Sequence, residues 1–373
     1  MTAYDWEELH GLSLARQFPE VPGRDAEAVA DAVGLTGPIQ SQTARSPFVG
    51  LGARLPGLTH AAVTEAYESL GIVRGSTIRG TVHTSTPAQY VLLDATTRVG
   101  QRSVWTRQLR LSHTEVDDLW AGIEEFARDG WRTPDELLGH LHGWLAHRDE
   151  SDLTETLDRG LGRYLSFGHG GLLRRPLRGD WSGQGAAGYR TAASLLPDRR
   201  RPEDPRVEVV RLHLASHGPA SRHDIAWWSG LGLRQIDALL DGLGVIWRDG
   251  PDGRAYADLP DAPPPRDLPG VRLLPEFDAL LCGYDPKARD RFVSVADNEV
   301  LWHRANGFML APVLVDGRVG GHWHLEGSGR HRSLALSSFP GSRRLSAVEV
   351  DEAAAVLTTA LDVRLAGVTS ERL

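Results

Sequence analysis

Residues 207–258 read VEVVRLHLASHGPASRHDIAWWSGLGLRQIDALLDGLGVIWRDGPDGRAYAD. Val209, Val210, Leu212 and Leu214 fit one apolar helix face, and Gly218-Pro219 stops it because proline has no N–H for the helical ladder. Ser221 caps a second helix over 222–229, its hydroxyl accepting from a first-turn N–H, and Gly230 ends that helix. A third helix over 233–243 precedes Gly244-Val245-Ile246-Trp247-Arg248. Asp249-Gly250-Pro251-Asp252-Gly253 then supplies a hairpin turn, and Arg254-Ala255-Tyr256-Ala257 returns as the second strand. Helix, helix, helix, hairpin is the order of a winged helix.

Working outward, looser copies of this order flank the first. Trp120, Ile123, Phe126 and Ala127 have helical spacing, and Thr133-Pro134-Asp135-Glu136 opens a second helix with a cap followed by proline. A third over 153–165 leads through Gly168-His169-Gly170-Gly171 to a candidate wing at Leu172-Leu173-Arg174-Arg175-Pro176-Leu177. The N-terminal copy runs from Trp6 to Leu70, with strands at 71–74 and 77–83. Residues 261–268 (DAPPPRDL) are a proline-rich linker. Beyond it, Val313-Leu314-Val315-Asp316-Gly317-Arg318-Val319 is an Asp-Gly hairpin, and a helix spans 347–361. The expected fold is α+β: three tandem winged-helix units in a curved arrangement, plus a C-terminal α/β unit with a β-hairpin. The expected boundaries are 1–112, 113–202, 203–268 (with the linker) and 269–373.

The 373 residues are 41% hydrophobic and carry a formal charge of −8. That apolar share builds real cores, so disorder is not expected. A single cysteine, Cys282, excludes an internal disulfide framework and a cysteine-rich zinc or iron–sulfur site. No apolar run approaches the ~20 residues that span a bilayer, and the acidic start lacks the basic residues of a secretion signal. A soluble cytoplasmic protein is expected. Charge is segregated: residues 161–202 hold eight arginines against two aspartates, whereas the first forty hold two arginines against seven carboxylates. An acidic protein with a basic face follows.

Tandem winged helices point to nucleic acid, because a helix end and a wing can follow the grooves and phosphates of a duplex. The segment that discriminates an enzyme from a regulator is Gly37-Pro38-Ile39-Gln40-Ser41-Gln42-Thr43-Ala44-Arg45-Ser46-Pro47-Phe48-Val49-Gly50-Leu51. By spacing alone, Gln40 and Gln42 read as surface glutamines at a helix start. Ser41 faces away from them if the segment is extended and lies beside them if it is helical.

In this setting Gln40-Ser41-Gln42 resembles the Gln-x-Gln motif of the AlkZ/YcaQ-type DNA glycosylases. Arg79-Gly80-Thr81-Val82-His83, Ala226-Trp227-Trp228-Ser229-Gly230-Leu231, the 274–281 run LPEFDALL and the 313–319 hairpin agree with it. The resemblance therefore spans nearly the whole chain and falls in the Gln-x-Gln group rather than the Gln-x-Asp group. It implies a glycosylase that excises bulky N7-alkylguanine and unhooks interstrand crosslinks, often as self-resistance to a genotoxic natural product. A monofunctional enzyme is expected because the lone lysine, Lys287, lies far in sequence from the glutamines and a lyase needs an amine nucleophile. Its partner would be double-stranded DNA, met as a monomer at the nucleoid. It implies Gln40 and Gln42 as the catalytic pair, with Gln42 the main holder of water. N7 alkylation makes the base cationic, so the leaving group needs no general acid. Two oriented amides and one water suffice for the oxocarbenium-like transition state.

Thr81 and His83 are candidates near the site, and His83 also reads simply as a hydrogen-bonded strand histidine. Candidate DNA contacts are Arg45, the trio Arg174, Arg175 and Arg178, the run 199–201, Arg318 just past the hairpin tip, and Arg330 with Arg332. Each also reads as a solvated surface arginine. His140 and His142 at i and i+2 do not share a helix face, so no metal is expected. Asp224, Trp227 and Trp228 are assigned to core and capping. No phosphate loop or Gly-x-Ser-x-Gly elbow is present, and no cofactor is called for. The rival reading is a winged-helix regulator, or a protein that sequesters drug or damaged DNA.

Overall fold

The computed structural model describes residues 3–149, 157, 162–179, 181–197, 202–303 and 307–373. The run 199–201 lies outside them, as does much of the 153–165 helix. Side-chain caps start most helices. Asp5 accepts from Glu8 N–H at the head of Trp6–Gln17, and Asp25 from Ala28 N–H at the head of Ala26–Thr36. Reciprocal capping boxes start Pro134–Arg148 (Thr133 and Glu136), Arg222–Ser229 (Ser221 and Asp224) and Ala347–Leu361 (Ser346 and Glu349).

Among the described residues, four sheets order the chain. The first joins β1 (Ile39–Gln40), β2 (Val73–Ser76), β3 (Val82–Ser85), β4 (Leu172–Pro176) and β5 (Ala187–Thr191) in the antiparallel order β1-β3-β2-β4-β5. The hairpins expected for the first two units are thus one continuous sheet. The second joins β6 (Ala220–Ser221), β7 (Ile246–Asp249) and β8 (Ala255–Asp258) in the order β6-β8-β7, behind helices Pro205–His217, Arg222–Ser229 and Leu233–Gly242. These elements fall where the spacing puts them. β9 (Val271–Leu273) belongs to the C-terminal sheet, and β10 (Trp302–His303) pairs with β11 (Phe308–Met309). β12 (Ala311–Val315), β13 (Arg318–Glu326), β14 (His331–Ser338) and β15 (Arg364–Arg372) complete the C-terminal sheet, ordered β15-β14-β13-β12-β9. β14 and β15 run parallel because the helix Ala347–Leu361 crosses between them.

The long helix Pro87–Leu109, twenty-three residues, was not expected. Its apolar residues keep no clean stripe. Its start was marked all the same, by the Thr86 and Gln89 capping box with proline at the first turn.

The largest core ignores chain order. Val29, Val33, Phe48 and Leu51 pack with Leu273, Val313, Trp323 and Leu357. The helix Ser46–Arg54, which follows the glutamine motif, lies against Ala347–Leu361 so closely that a Cβ on Gly52 would sit 2.7 Å from the Ala360 Cβ. Beneath it the guanidinium of Arg54 donates to both Asp278 carboxylate oxygens at 2.9 Å and to the Gln17 carbonyl at 2.9 Å. It also donates to Gln17 Oε1 at 3.0 Å and to the Gly50 carbonyl at 3.1 Å. Both charged side chains are 1% exposed. Removing one partner strands a buried charge at a cost of about 3–5 kcal/mol. Chemical denaturation of Asp278→Ala should therefore show a loss of that order; a change under about 1 kcal/mol would contradict this bracing role.

Candidate active site

The helix Ala26–Thr36 ends on Gly37, whose φ of 81° belongs to the left-handed region and whose Cβ position lies 3.0 Å from Ser216 Oγ. Pro38 then starts the extended stretch that becomes β1. Gln40 faces His83 across the β1–β3 ladder. Side chains alternate along this stretch: Ile39 and Ser41 are buried, Gln40 is half-buried and Gln42 is exposed. The segment is extended, so Ser41 points away from the glutamines. Its hydroxyl donates to the Ile39 carbonyl and shares a hydrogen bond with Thr84 Oγ1, both at 2.8 Å. That contact holds the strand down. The two amides are left side by side, with Gln40 Nε2 3.5 Å from Gln42 Oε1. β1 is an edge strand, so the pair sits on the open margin of the sheet.

Below it, Thr84 is linked to Tyr67, which receives a hydrogen bond from Arg74 at 2.9 Å and stacks on Trp181 with centroids 4.2 Å apart. Arg74 also donates to the carbonyls of Ala44 and Trp181. The turn after Gln42 is fixed from beneath. His83 is buried, with Nδ1 3.0 Å from the Thr81 carbonyl. Burial pushes its pKa down to about 4, so the ring is neutral near pH 7 and carries no proton to give. Thr81 is half-buried and spends its hydroxyl on the Ile78 carbonyl at 2.9 Å.

The candidate arginines are scattered. Arg45 is paired with Glu276 at 2.5 Å and lies over the Trp323 ring. Arg174 is on β4 opposite Tyr189; Arg175 pairs with Glu68 at 3.3 Å and lies over Trp131; Arg178 is exposed. The Asp316-Gly317 tip, just before Arg318, is docked on the fold. Gly317 packs on the helix Trp6–Gln17, its carbonyl bonded to His10, and Arg318 pairs with Glu7 at 2.6 Å. Arg330 pairs with Asp362 in the turn between β13 and β14, and Arg332 braces that turn through the Gly329 carbonyl. His140 stacks on Phe126 and bonds to the Gly122 carbonyl.

Asp224 caps its helix and Trp228 is buried, in keeping with core and capping roles. Trp227 is different: it is 37% exposed, and Arg79, at a φ of 55°, lies over its ring. Helix periodicity places Trp227 on a face. It does not show that the β2–β3 turn reaches across to that face.

Among the described residues, the candidate pair is two neutral amides on a sheet margin with a neutral His83 opposite Gln40, an arrangement suited to orienting water or substrate rather than to transferring protons. The chain matches the model of the family described as DNA glycosylase AlkZ-like over residues 33–361 and belongs to that family. A relative from Streptomyces sahachiroi, the "Interstrand DNA cross-link repair glycosylase", is 25% identical over 375 residues, covering 96% of this chain and 97% of its own. The solved structure of Streptomyces sahachiroi DNA glycosylase AlkZ superposes with a TM-score of 0.79 at 22% identity, over 99% of this chain and all of that one. Family membership favours the enzyme over the regulator. Among the described residues no helix is long and apolar enough to cross a membrane.

His83, His213 and His217 are all buried with depressed pKa values, the first two to about 4. Between about pH 6.5 and 4 the unfolded chain binds protons that the native one refuses, so acid costs stability over that window. For His83→Asn, the fall in unfolding free energy between pH 7 and 4.5 should be about 2 kcal/mol smaller than in the wild type. Superimposable pH profiles would show that His83 is not held neutral.

Proposed function

We propose that this glycosylase cleaves the C1′–N9 bond of bulky N7-alkylguanine in double-stranded DNA, acting as a monomer at the nucleoid without metal or cofactor. We extend to it the unhooking of interstrand crosslinks for which its Streptomyces relative is named. The observation that carries this reading is the adjacent pair Gln40 and Gln42 on an open edge strand. An alkylated N7 leaves the base positively charged, so departure needs no protonation, and a neutral His83 offers none. What the transition state requires is a water below C1′ and dipoles turned toward the developing cation. A glutamine carbonyl accepts from that water while its amide donates elsewhere. Neither amide takes a proton at neutral pH, so an unmodified base is left alone. Specificity then comes from the lability of the lesion. The edge position supports a bulky substrate, since no closed pocket has to swallow the adduct.

Purified protein incubated with duplex DNA carrying a bulky N7-guanine adduct should release the modified base and leave an alkali-labile abasic strand. Gln42→Ala should slow release on the order of a hundredfold, the loss of one positioned hydrogen bond of a few kcal/mol, and Gln40→Ala should also slow it. Undiminished release by a folded double variant would remove the glutamines from the chemistry. Strand breaks without alkali would overturn the monofunctional assignment.

A further inference from the structure

Arg79 stands at the start of a chain of rings and guanidinium groups that leads away from the glutamine strand. Its Cζ lies 5.2 Å from the Trp227 ring centroid, Arg289 lies 5.9 Å from Trp227 and 4.5 Å from Trp302, and Phe277 meets Trp302 edge-on at 5.8 Å. Trp227, Arg289 and Trp302 line a cavity of about 660 Å³ together with Asn298. Its walls come from the helix Arg222–Ser229, the turn Pro286–Arg291, the helix Val295–Leu301 and β10. The volume lies within the ~300–1,000 Å³ of small-molecule sites.

The cavity wall holds unspent hydrogen-bonding capacity. Arg289 is 2% exposed, yet its Nε and Nη2 have no partner among the described residues, and neither does Asn298 Oδ1. Buried donors and acceptors left empty are costly, and a buried guanidinium more so. Two indoles, a forked donor and a nearby acceptor complement a flat ring whose edge carries a carbonyl beside N–H groups. Guanine has that edge: O6 accepts, and N1–H and the 2-amino group donate. Charge selects further. Asp285, Asp290 and Glu299 also line the cavity, against Lys287 and Arg289. Asp285 is already paired with Arg254 at 2.9 Å, so the lining is close to balanced, which suits a neutral ring. The released base is neutral, because the C1′–N9 bonding pair stays on N9, and its flat face can pack on the indoles.

We propose that this cavity binds the excised N7-alkylguanine base, with O6 accepting from Arg289, the N–H edge donating to Asn298 and the ring against the indoles of Trp227 and Trp302. The identity of the ligand rests on the function proposed above. The position agrees with it, because Arg79 lies in the turn leading into β3, and β3 places His83 opposite Gln40. The room beyond a purine accommodates the alkyl substituent.

The probe is free 7-methylguanine, followed by equilibrium dialysis and tryptophan fluorescence on the full chain. Saturable binding at one site is expected, weakened about tenfold or more by Arg289→Met and by Asn298→Ala. Trp227→Ala alters an exposed residue and guards against a folding defect as the cause; it should weaken binding likewise. Adenine, which lacks O6, should bind at least tenfold more weakly. Absence of saturable binding, equal affinity for adenine, or affinity unchanged in folded Arg289→Met and Trp227→Ala would each overturn the assignment. Base release from alkylated DNA is measured on the same preparation. Release without 7-methylguanine binding rejects the cavity and keeps the glycosylase. Binding without release keeps the cavity as a guanine-edge site and rejects the excision chemistry.

Discussion

Arg54 places all five of its N–H donors on three separate segments of chain, and the position of the site depends on that. A guanidinium is a rigid planar fork, so meeting Asp278, Gln17 and Gly50 at once leaves one relative placement of the pieces that carry them. Gln17 extends the bracing by donating to the carbonyls of Thr36 and Ser216. Thr36 is the last residue of its helix before Gly37, and Ser46–Arg54 follows Gln42. The two ends of the glutamine segment are thus tied to one buried network. Desolvating a charge is expensive, and full pairing is what makes this burial tolerable.

The same economy explains why the site itself is weakly charged. His83, opposite Gln40 across the ladder, is buried in the sheet and held neutral, while Arg45 is spent on Glu276. What faces outward is an amide pair whose dipoles are positioned by Ser41 and Thr84 beneath. Preorganised dipoles lose nothing to reorganisation when charge develops on a sugar. They are also useless against a stable glycosidic bond. In the proposed mechanism, selectivity and catalytic weakness are one property.

The C-terminal unit braces the candidate site rather than hanging from the fold as an appendage. Ala360 meets Gly52 on the helix after the motif, Trp323 lies under Arg45, and Glu276 and Asp278 come from the strand-to-helix segment beyond β9. A chain cut after the proline-rich linker would leave the helix Ser46–Arg54 without Ala360 to pack on and Arg54 without Asp278.

Much of this was legible in the residues themselves. The helices and hairpin of 205–258, the capped starts at Thr133 and Ser346 and the Asp-Gly turn at 316–317 follow from local rules, because caps, proline positions and turn conformations act within a few residues. Gln40 and Gln42 stood out through a family-like motif, but whether Ser41 lay beside them or behind them did not. That depends on β3, forty residues away in sequence, which draws β1 into an extended ladder. The helix at 87–109 was hidden because its burial is patchy, set by neighbours on several sides rather than by one apolar stripe. The hairpin tip before Arg318 is docked on the first helix, and Trp227 is reached by Arg79 from another unit. Local chemistry specifies the elements and the reactive amides. Which arginines are spent on ion pairs, and which buried groups are left empty, is set by contacts between residues hundreds apart, where no spacing rule operates.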